Sequence, residues 1–213
     1  KFEQYKSSYG LQLHLFHYLE IFGYKNINTF HGITALLMSS VVGIFFYLLS
    51  RYFSIASALI FSATLILSPW IVVFARNLYW VPATWFVPMI ISMYYSRSNF
   101  ASKSSNIKFF IFFILAYLLK MLCGYEYLTT IFIASCVPIV FNMSLEKYGI
   151  KLCMIKLSLN AISMLVAFFL AISIHAQSLS QDGSSSLDNI ERIFTNAKVR
   201  TRTLNPSDIN KLC

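Results

Sequence analysis

The 213-residue sequence contains few charged residues. Asp, Glu, Lys and Arg make up 12% of the chain, against about one quarter of an average soluble domain, and hydrophobic residues make up 57%. This composition does not fit a water-soluble globular protein. The 20 Phe and 13 Tyr residues also exclude a disordered segment, which would be poor in aromatics. We therefore expect a protein that is embedded in a lipid bilayer.

Motifs of soluble enzymes are also missing. The four cysteines, Cys123, Cys136, Cys153 and Cys213, are at least 10 positions apart, so they form no C-x-x-C pair and are interpreted as free thiols. There is no G-x-S-x-G, no phosphate-binding glycine loop and no G-x-G-x-x-G, which excludes soluble-type hydrolases, nucleotide motors and dinucleotide enzymes. A net charge of +9 would indicate nucleic-acid binding only if the basic residues were clustered in one patch. No cofactor and no nucleic-acid partner are predicted.

Long apolar stretches predict transmembrane helices. A bilayer core of about 30 Å requires about 20 apolar residues per helix. Six stretches approach this length: Phe30–Leu49, Phe53–Phe74, Leu78–Tyr95, Ile107–Cys123, Tyr127–Met143 and Leu157–Ile174. The predicted fold is all-α, a polytopic membrane bundle of about six transmembrane helices.

Polar segments flank the predicted bundle, which is expected to occupy residues 30–176. Residues 1–29 contain apolar residues at helical spacing: Leu11, Leu15, Tyr18, Leu19 and Phe22. This spacing predicts an amphipathic helix in the membrane interface. Residues 177–213 are predicted to form a polar loop. Because the chain begins at Lys1 and ends in polar sequence, we expect a fragment of a longer polytopic protein.

Basic residues indicate the orientation of the bundle, because cytoplasmic loops retain Lys and Arg. If the N-terminal segment is external, the inside loops hold seven cations: Arg51, Arg97, Lys103, Lys108, Lys147, Lys151 and Lys156. The short outside loops then hold only Arg76 and Lys120. This distribution predicts that both ends of the chain are external. It also predicts that residues 1–29, the turns near Arg76 and Gly124, and the tail share one face.

Candidate functional residues lie on this predicted outer face. Arg76, between aromatic residues at a membrane edge, suits a bidentate contact to phosphate, or simply snorkels to the interface. Glu126 borders hydrocarbon, where a carboxylate is costly unless it is paired or used, and Lys120 is a plausible structural partner for it. Lys198, Arg200 and Arg202 form a second basic group, which either approaches the same headgroup or keeps the tail solvated.

Three residues of the N-terminal segment are candidates for a metal site. His14, His17 and Glu20 recur every third residue, so a helix would place them along one side. Two imidazoles and a carboxylate can bind a divalent ion, but steps of three residues drift around a helix and converge poorly. The favoured interpretation is the polar flank of an interfacial helix, and no metal site is predicted.

Three segments carry a resemblance to a known family. Tyr5–Gln12, with the sequence YKSSYGLQ, resembles the end of the first external loop in bacterial GT-C membrane glycosyltransferases. These enzymes are relatives of the protein mannosyltransferases and the aminoarabinose transferase. Ser68–Trp80 and Cys123–Tyr127 resemble outer-edge segments of uncharacterised members. The resemblance, which covers most of the chain, implies transfer of a sugar from a polyprenyl-phosphate carrier to a glycan or lipid acceptor, at the outer face of a bacterial inner membrane.

The resemblance also suggests roles for residues. In this family an acidic residue of the first external loop, just after the first transmembrane helix, acts as general base or positions the acceptor. This chain begins after that position, and Glu3 is the acid nearest to it in the matching segment. The catalytic candidates are therefore Glu3 and Glu126. The candidates for binding the donor phosphate are Arg76, Lys120, Arg200 and Arg202.

Two alternatives to a glycosyltransferase stay open. A non-catalytic polysaccharide or lipid flippase, or another transporter component, would have charged residues along a path through the bundle. A lipid-linked polysaccharide polymerase would share the external location of the site.

Overall fold

The computed structural model describes residues 8–79, 81–97, 103–146, 149–179, 189–191 and 193–195. In these ranges every regular element is helical, which confirms the predicted all-α fold. The elements are α1 (Leu11–Ile21), α2 (Ile27–Tyr52), α3 (Ile55–Leu67), α4 (Pro69–Ala75), α5 (Ala83–Arg97), α6 (Lys103–Cys123), α7 (Leu128–Glu146) and α8 (Ile150–Leu179).

Four helices, α2, α6, α7 and α8, are long and apolar enough to cross a membrane. They confirm four of the predicted spans: Phe30–Leu49, Ile107–Cys123, Tyr127–Met143 and Leu157–Ile174. Each of these helices exposes many large apolar side chains outside the bundle, including Leu36, Ile133 and Phe169. Such surfaces fit contact with lipid chains, so the structure supports an integral membrane protein.

The predicted span Phe53–Phe74 is a broken helix. α3 and α4 meet at a bend of 73°, and together they form a fifth candidate span. Pro69 has no N–H to continue the hydrogen bonds of α3, whereas it is well suited to the first position of a new helix. Ser68 Oγ accepts a hydrogen bond from the Ile71 N–H and caps α4.

The predicted span Leu78–Tyr95 contains a shorter helix. α5 has only 15 residues, or about 22 Å, so the described residues hold four or five helices of spanning length rather than six. α5 runs parallel to α7 nevertheless. The rings of Trp85 and Tyr127 are 4.9 Å apart, and Ser92 Oγ donates to the Ser135 carbonyl. α5 therefore lies in the bundle beside most of α7.

Helices α6, α7 and α8 form a three-helix unit. α6 and α8 run in the same direction, and α7 runs antiparallel to both. Lys156 Nζ of α8 lies 4.6 Å from the centre of the Phe109 ring, and Asn160 contacts Tyr117 farther along α6. The unit has an apolar core that includes Phe113 and Ile139, both fully buried.

A second apolar core joins α2 and α5 and includes Phe45 and Met93.

Lys156 was predicted to lie in a cytoplasmic loop, but α8 begins at Ile150, so this lysine is inside the helix and fully buried.

Helix α1 confirms the predicted helix in the N-terminal segment. Its buried residue is Gln12, whereas Tyr18 and Phe22 are 62% and 78% exposed. Much of the apolar stripe of α1 therefore stays accessible, as expected for a helix lying in a membrane interface.

Candidate functional site at one end of the bundle

Three segments that are distant in sequence meet at one end of the bundle. Gln12 Nε2 of α1 donates to the Tyr79 carbonyl at 2.5 Å, and His31 Nδ1 of α2 lies 2.6 Å from the Arg76 carbonyl oxygen. The backbone N–H of Gln12 also contacts the sulfur of Cys123. The first helix, the turn after α4 and the turn after α6 thus share one end, as the distribution of cations predicted.

The turn between α6 and α7 folds Glu126 back over Gly124. A Cβ atom at position 124 would lie 2.3 Å from Glu126 Oε2, so only glycine permits this placement of the carboxylate. Lys120 is 1% exposed, and its Nζ donates to the Gly124 carbonyl at 2.5 Å. A cation also suits the C-terminal turn of a helix, where carbonyl groups point outwards. The turn therefore gathers one ammonium and one carboxylate around a single glycine.

Lys120 and Glu126 are charge neighbours without a direct ion pair. The one ion pair in the described ranges joins His17 Nδ1 and Glu20 Oε2 at 3.9 Å. Glu126 Oε2 is buried and has no hydrogen-bond partner within the described part of the chain. Leaving such an atom unsatisfied costs about 1–3 kcal/mol, and more for a charged group. Any hydrogen-bond donor to this oxygen must therefore come from outside the described residues.

A buried histidine lies beside this turn. His175 of α8 is 0% exposed, and the Tyr125 hydroxyl lies 3.5 Å from its Nδ1. Burial raises the pKa of the Tyr125 phenol above its ordinary value, so this hydroxyl stays protonated at neutral pH and can donate to the imidazole. His175 was not predicted as a site residue, although an ionisable residue at the end of an apolar stretch is itself a signal of function.

Arg76 directly follows α4, at the same end of the bundle as the Gly124 turn, and is exposed. It lines an open surface pocket of about 640 Å³ together with His31 and Asn77. It also lines a groove of about 520 Å³ between α2, α3 and α4, which we call the Arg76 groove. Ala35, Ser39 and Gly43, three small residues of α2, line the same groove. The guanidinium group therefore stands next to a largely apolar groove in the membrane-spanning part of the protein.

The predicted site residues are only partly brought together. Lys120 and Glu126 share one turn, and Arg76 lies at the same end of the bundle beside α2. Of the predicted phosphate-binding residues that the structure describes, Arg76 is exposed and Lys120 is buried. Glu3, Arg200 and Arg202 lie outside the described residues.

The three polar residues considered as metal ligands lie on the exposed side of α1. His14, His17 and Glu20 are all exposed on α1. No group of three His, Cys, Asp or Glu side chains that could hold a metal ion occurs in the described part of the chain. The arrangement fits the polar flank of an interfacial helix.

A polar network inside the bundle was also missed. The Tyr117 hydroxyl donates to Asn160 Oδ1 at 2.9 Å and lies 2.8 Å from Ser135 Oγ. Asn160 Nδ2 donates to the same Ser135 oxygen at 2.8 Å. Hydrogen bonds of this kind join helices inside membranes, so the network ties α6, α7 and α8 together.

Comparisons with known proteins find no match among family models, curated proteins or solved structures.

Proposed function

We propose that the chain is part of a membrane glycosyltransferase that takes a sugar from a polyprenyl-phosphate-linked donor. The observation that carries this proposal is the carboxylate of Glu126, which is held at one bundle end with a buried, unpartnered oxygen in the described structure. A carboxylate at a membrane edge is costly, so it is expected either to pair with a cation or to have a function. The resemblance of three segments to GT-C glycosyltransferases supports the same reaction class.

Glu126 is suited to act as the general base of this reaction. Its carboxylate takes the proton from an acceptor hydroxyl, and the acceptor oxygen forms a bond to the anomeric carbon of the sugar. The bond between that carbon and the phosphate oxygen breaks, and its electron pair leaves with the polyprenyl phosphate. Arg76 stabilises the additional negative charge on this phosphate. Glu3, Arg200 and Arg202 are further candidates for the same site.

The Arg76 groove suits the hydrophobic part of such a donor. Small residues of α2 and the bend before α4 leave about 520 Å³ open between the helices. A polyprenyl phosphate combines a long apolar chain with one anionic group. Apolar walls beside one exposed guanidinium match both parts of that molecule.

We place this end of the bundle on the external face of a bacterial inner membrane. The opposite end carries Arg51 and Lys108, which agrees with the retention of cations in cytoplasmic segments.

The proposal is tested with the full-length protein in liposomes that contain a polyprenyl-phosphate sugar, by measuring sugar transfer. Glu126→Gln should lower transfer by about 10²–10⁴-fold, the usual contribution of a general base. Arg76→Ala should abolish transfer while membrane insertion stays normal, and Arg76→Lys should restore only part of it because lysine cannot bind bidentately. Glu20→Gln, which changes an exposed carboxylate on α1, serves as the control. Normal transfer by Glu126→Gln would remove this carboxylate from the mechanism.

A transporter component is the second candidate. It is favoured by two fully buried ionisable residues of α8, Lys156 and His175, and by the polar network around Asn160 between them. Intramembrane groups of this kind often mark a substrate or ion pathway. Asn160→Leu would then stop movement of a lipid-linked sugar across the membrane, whereas a glycosyltransferase with a purely structural network would keep transferring sugar.

A further inference from the structure

The open pocket beside the Arg76 groove is lined by His31, and we call it the His31 pocket. Its volume of about 640 Å³ lies within the range of about 300–1,000 Å³ that is typical of ligand sites. Asn77 and Tyr79 also line it. Arg76 and Val72 line both the pocket and the groove, so the two spaces adjoin at these residues.

The order of the two spaces matches the order of the groups in the proposed donor. In a polyprenyl-phosphate sugar, the phosphate joins the apolar chain to the anomeric carbon of the sugar. The Arg76 groove suits the chain, and the guanidinium group of Arg76 suits the phosphate. Because Arg76 also lines the His31 pocket, a phosphate bound there brings the sugar to this pocket.

The contact between His31 and the backbone of Arg76 determines which ring nitrogen carries a hydrogen. His31 Nδ1 lies 2.6 Å from the Arg76 carbonyl oxygen. A carbonyl oxygen can only accept a hydrogen bond, so Nδ1 carries the hydrogen and donates it. In the neutral ring Nε2 is then a hydrogen-bond acceptor. The ring is partly exposed, and Nε2 has no hydrogen-bond partner in the described part of the chain.

The turn that carries Arg76 is held in place by two further hydrogen bonds. Asn77 Oδ1 accepts from the Tyr79 N–H at 2.9 Å, and Gln12 Nε2 donates to the Tyr79 carbonyl at 2.5 Å. Together with the bond from His31, these contacts tie the turn to α1 and α2. A site whose groups are already in place loses less free energy in ordering them when a ligand binds. Arg76 and His31 are therefore held side by side before the donor arrives.

We propose that His31 binds the sugar of the donor, with Nε2 accepting a hydrogen bond from a sugar hydroxyl while Arg76 binds the phosphate. This inference rests on the proposed function and adds a residue that recognises the sugar. The phosphodiester of the donor has no hydrogen to donate to Nε2, whereas a sugar has several hydroxyl donors. The hydroxyl at His31 belongs to the donor and keeps its proton, so Glu126 still takes the proton of the acceptor hydroxyl.

Two matched lipids test this inference: polyprenyl-phosphate glucose and the methyl ester of the same polyprenyl phosphate. Both are phosphodiesters with one negative charge, and only the glucose lipid has hydroxyl groups. Binding of each radiolabelled lipid to the full-length protein is measured in phosphatidylcholine nanodiscs. The wild type should bind the glucose lipid about fivefold more tightly, which is the effect of about one neutral hydrogen bond.

Asparagine and glutamine separate the two nitrogens of His31. His31→Asn has an amide N–H that can replace Nδ1 at the Arg76 carbonyl, but it has no acceptor at the position of Nε2. It should bind the glucose lipid about fivefold more weakly and the methyl ester as well as the wild type does. His31→Gln, whose longer side chain can place an amide oxygen near the position of Nε2, should keep a preference for glucose.

Two other variants calibrate the measurement. Arg76→Ala should weaken the binding of both lipids by the same factor, about tenfold or more, because both contain the phosphate. His14→Asn changes an exposed histidine of α1 and should alter neither affinity. Thermal unfolding of each variant checks that it is folded.

Three results would overturn the inference. Equal binding of the two lipids by the wild type would mean that no hydroxyl of the sugar is bound. An equal loss of both lipids in His31→Asn would mean that His31 serves the phosphate or the turn, and no loss would mean that it contacts neither. A preference for glucose that depends on His31, in a protein that transfers no sugar in liposomes, would keep this site and reject the proposed glycosyltransferase alone.

Discussion

Replacing Gly124 with alanine tests whether the position of the Glu126 carboxylate matters. A Cβ atom at this residue would lie 2.3 Å from Glu126 Oε2 and 3.4 Å from Cδ, whereas ordinary van der Waals contact begins near 3.4 Å. The carboxylate oxygen must therefore move by about 1 Å, a displacement that can cost an enzyme about 100-fold in rate. The described glycines with positive φ are Gly10 and Gly23, so alanine at 124 adds no backbone strain.

The expected result is a folded protein with a displaced carboxylate. The atom that must move is the end of a flexible side chain, so the thermal unfolding temperature of Gly124→Ala should stay close to that of the wild type. Sugar transfer in liposomes should fall by about 100-fold. Gly149→Ala is the matched control, because a Cβ there meets nothing within 4 Å and the residue precedes α8 at the opposite bundle end.

A double variant separates an effect on Glu126 from a general effect on the turn. If Gly124→Ala acts through the carboxylate, the double variant should transfer sugar about as well as Glu126→Gln alone, since Gly124→Ala then has no carboxylate to displace. Independent, multiplying losses would show that the turn matters for another reason. Wild-type transfer by Gly124→Ala would refute the assignment of this carboxylate to the reacting centre.

Three further predictions follow from the bundle. Asn160→Leu should lower the free energy of unfolding by about 1–2 kcal/mol, because Tyr117 and Ser135 lose a partner inside the membrane; unchanged thermal unfolding in detergent would show that the network does not hold the helices. His175→Phe should raise the unfolding temperature, because it removes an imidazole nitrogen that has no partner among the described residues and keeps an aromatic ring against Tyr125; a lower temperature would indicate that the nitrogen is satisfied in the folded protein. An impermeant maleimide should label Asn77→Cys in intact cells and Ser54→Cys only after permeabilisation, and the opposite pattern would reverse the predicted orientation.

The sequence predicted the long helices because the bilayer imposes a simple rule. Every backbone polar group in hydrocarbon must be satisfied within the segment, so an apolar stretch of sufficient length becomes a helix. This accounts for α2, α6, α7 and α8. The same rule located the turns near Arg76 and Gly124, and alternation of the spans put them at one end of the bundle.

The two weaker spans could not be predicted in detail. Pro69 indicated a kink, but the bend of 73° also depends on the cap that Ser68 provides for α4. α5 is short, yet it is held beside α7 by Ser92 and Ser96, whose hydroxyls donate to the Ser135 and Pro138 carbonyls. Those bonds join residues more than 40 positions apart, which no local pattern reveals.

The candidate site was likewise predictable from the sequence only in part. The sequence alone determined that Glu126, Lys120 and Arg76 are rare polar residues at helix ends, since the cost of charge in hydrocarbon restricts where they can occur. Only the tertiary structure decided that Glu126 lies over Gly124 with an oxygen that has no partner among the described residues, that Gln12 is buried, and that Arg76 lines a groove between α2, α3 and α4. Hydropathy records the transfer of each residue into lipid, whereas these features arise from contacts between helices, whose partners and directions depend on the whole bundle.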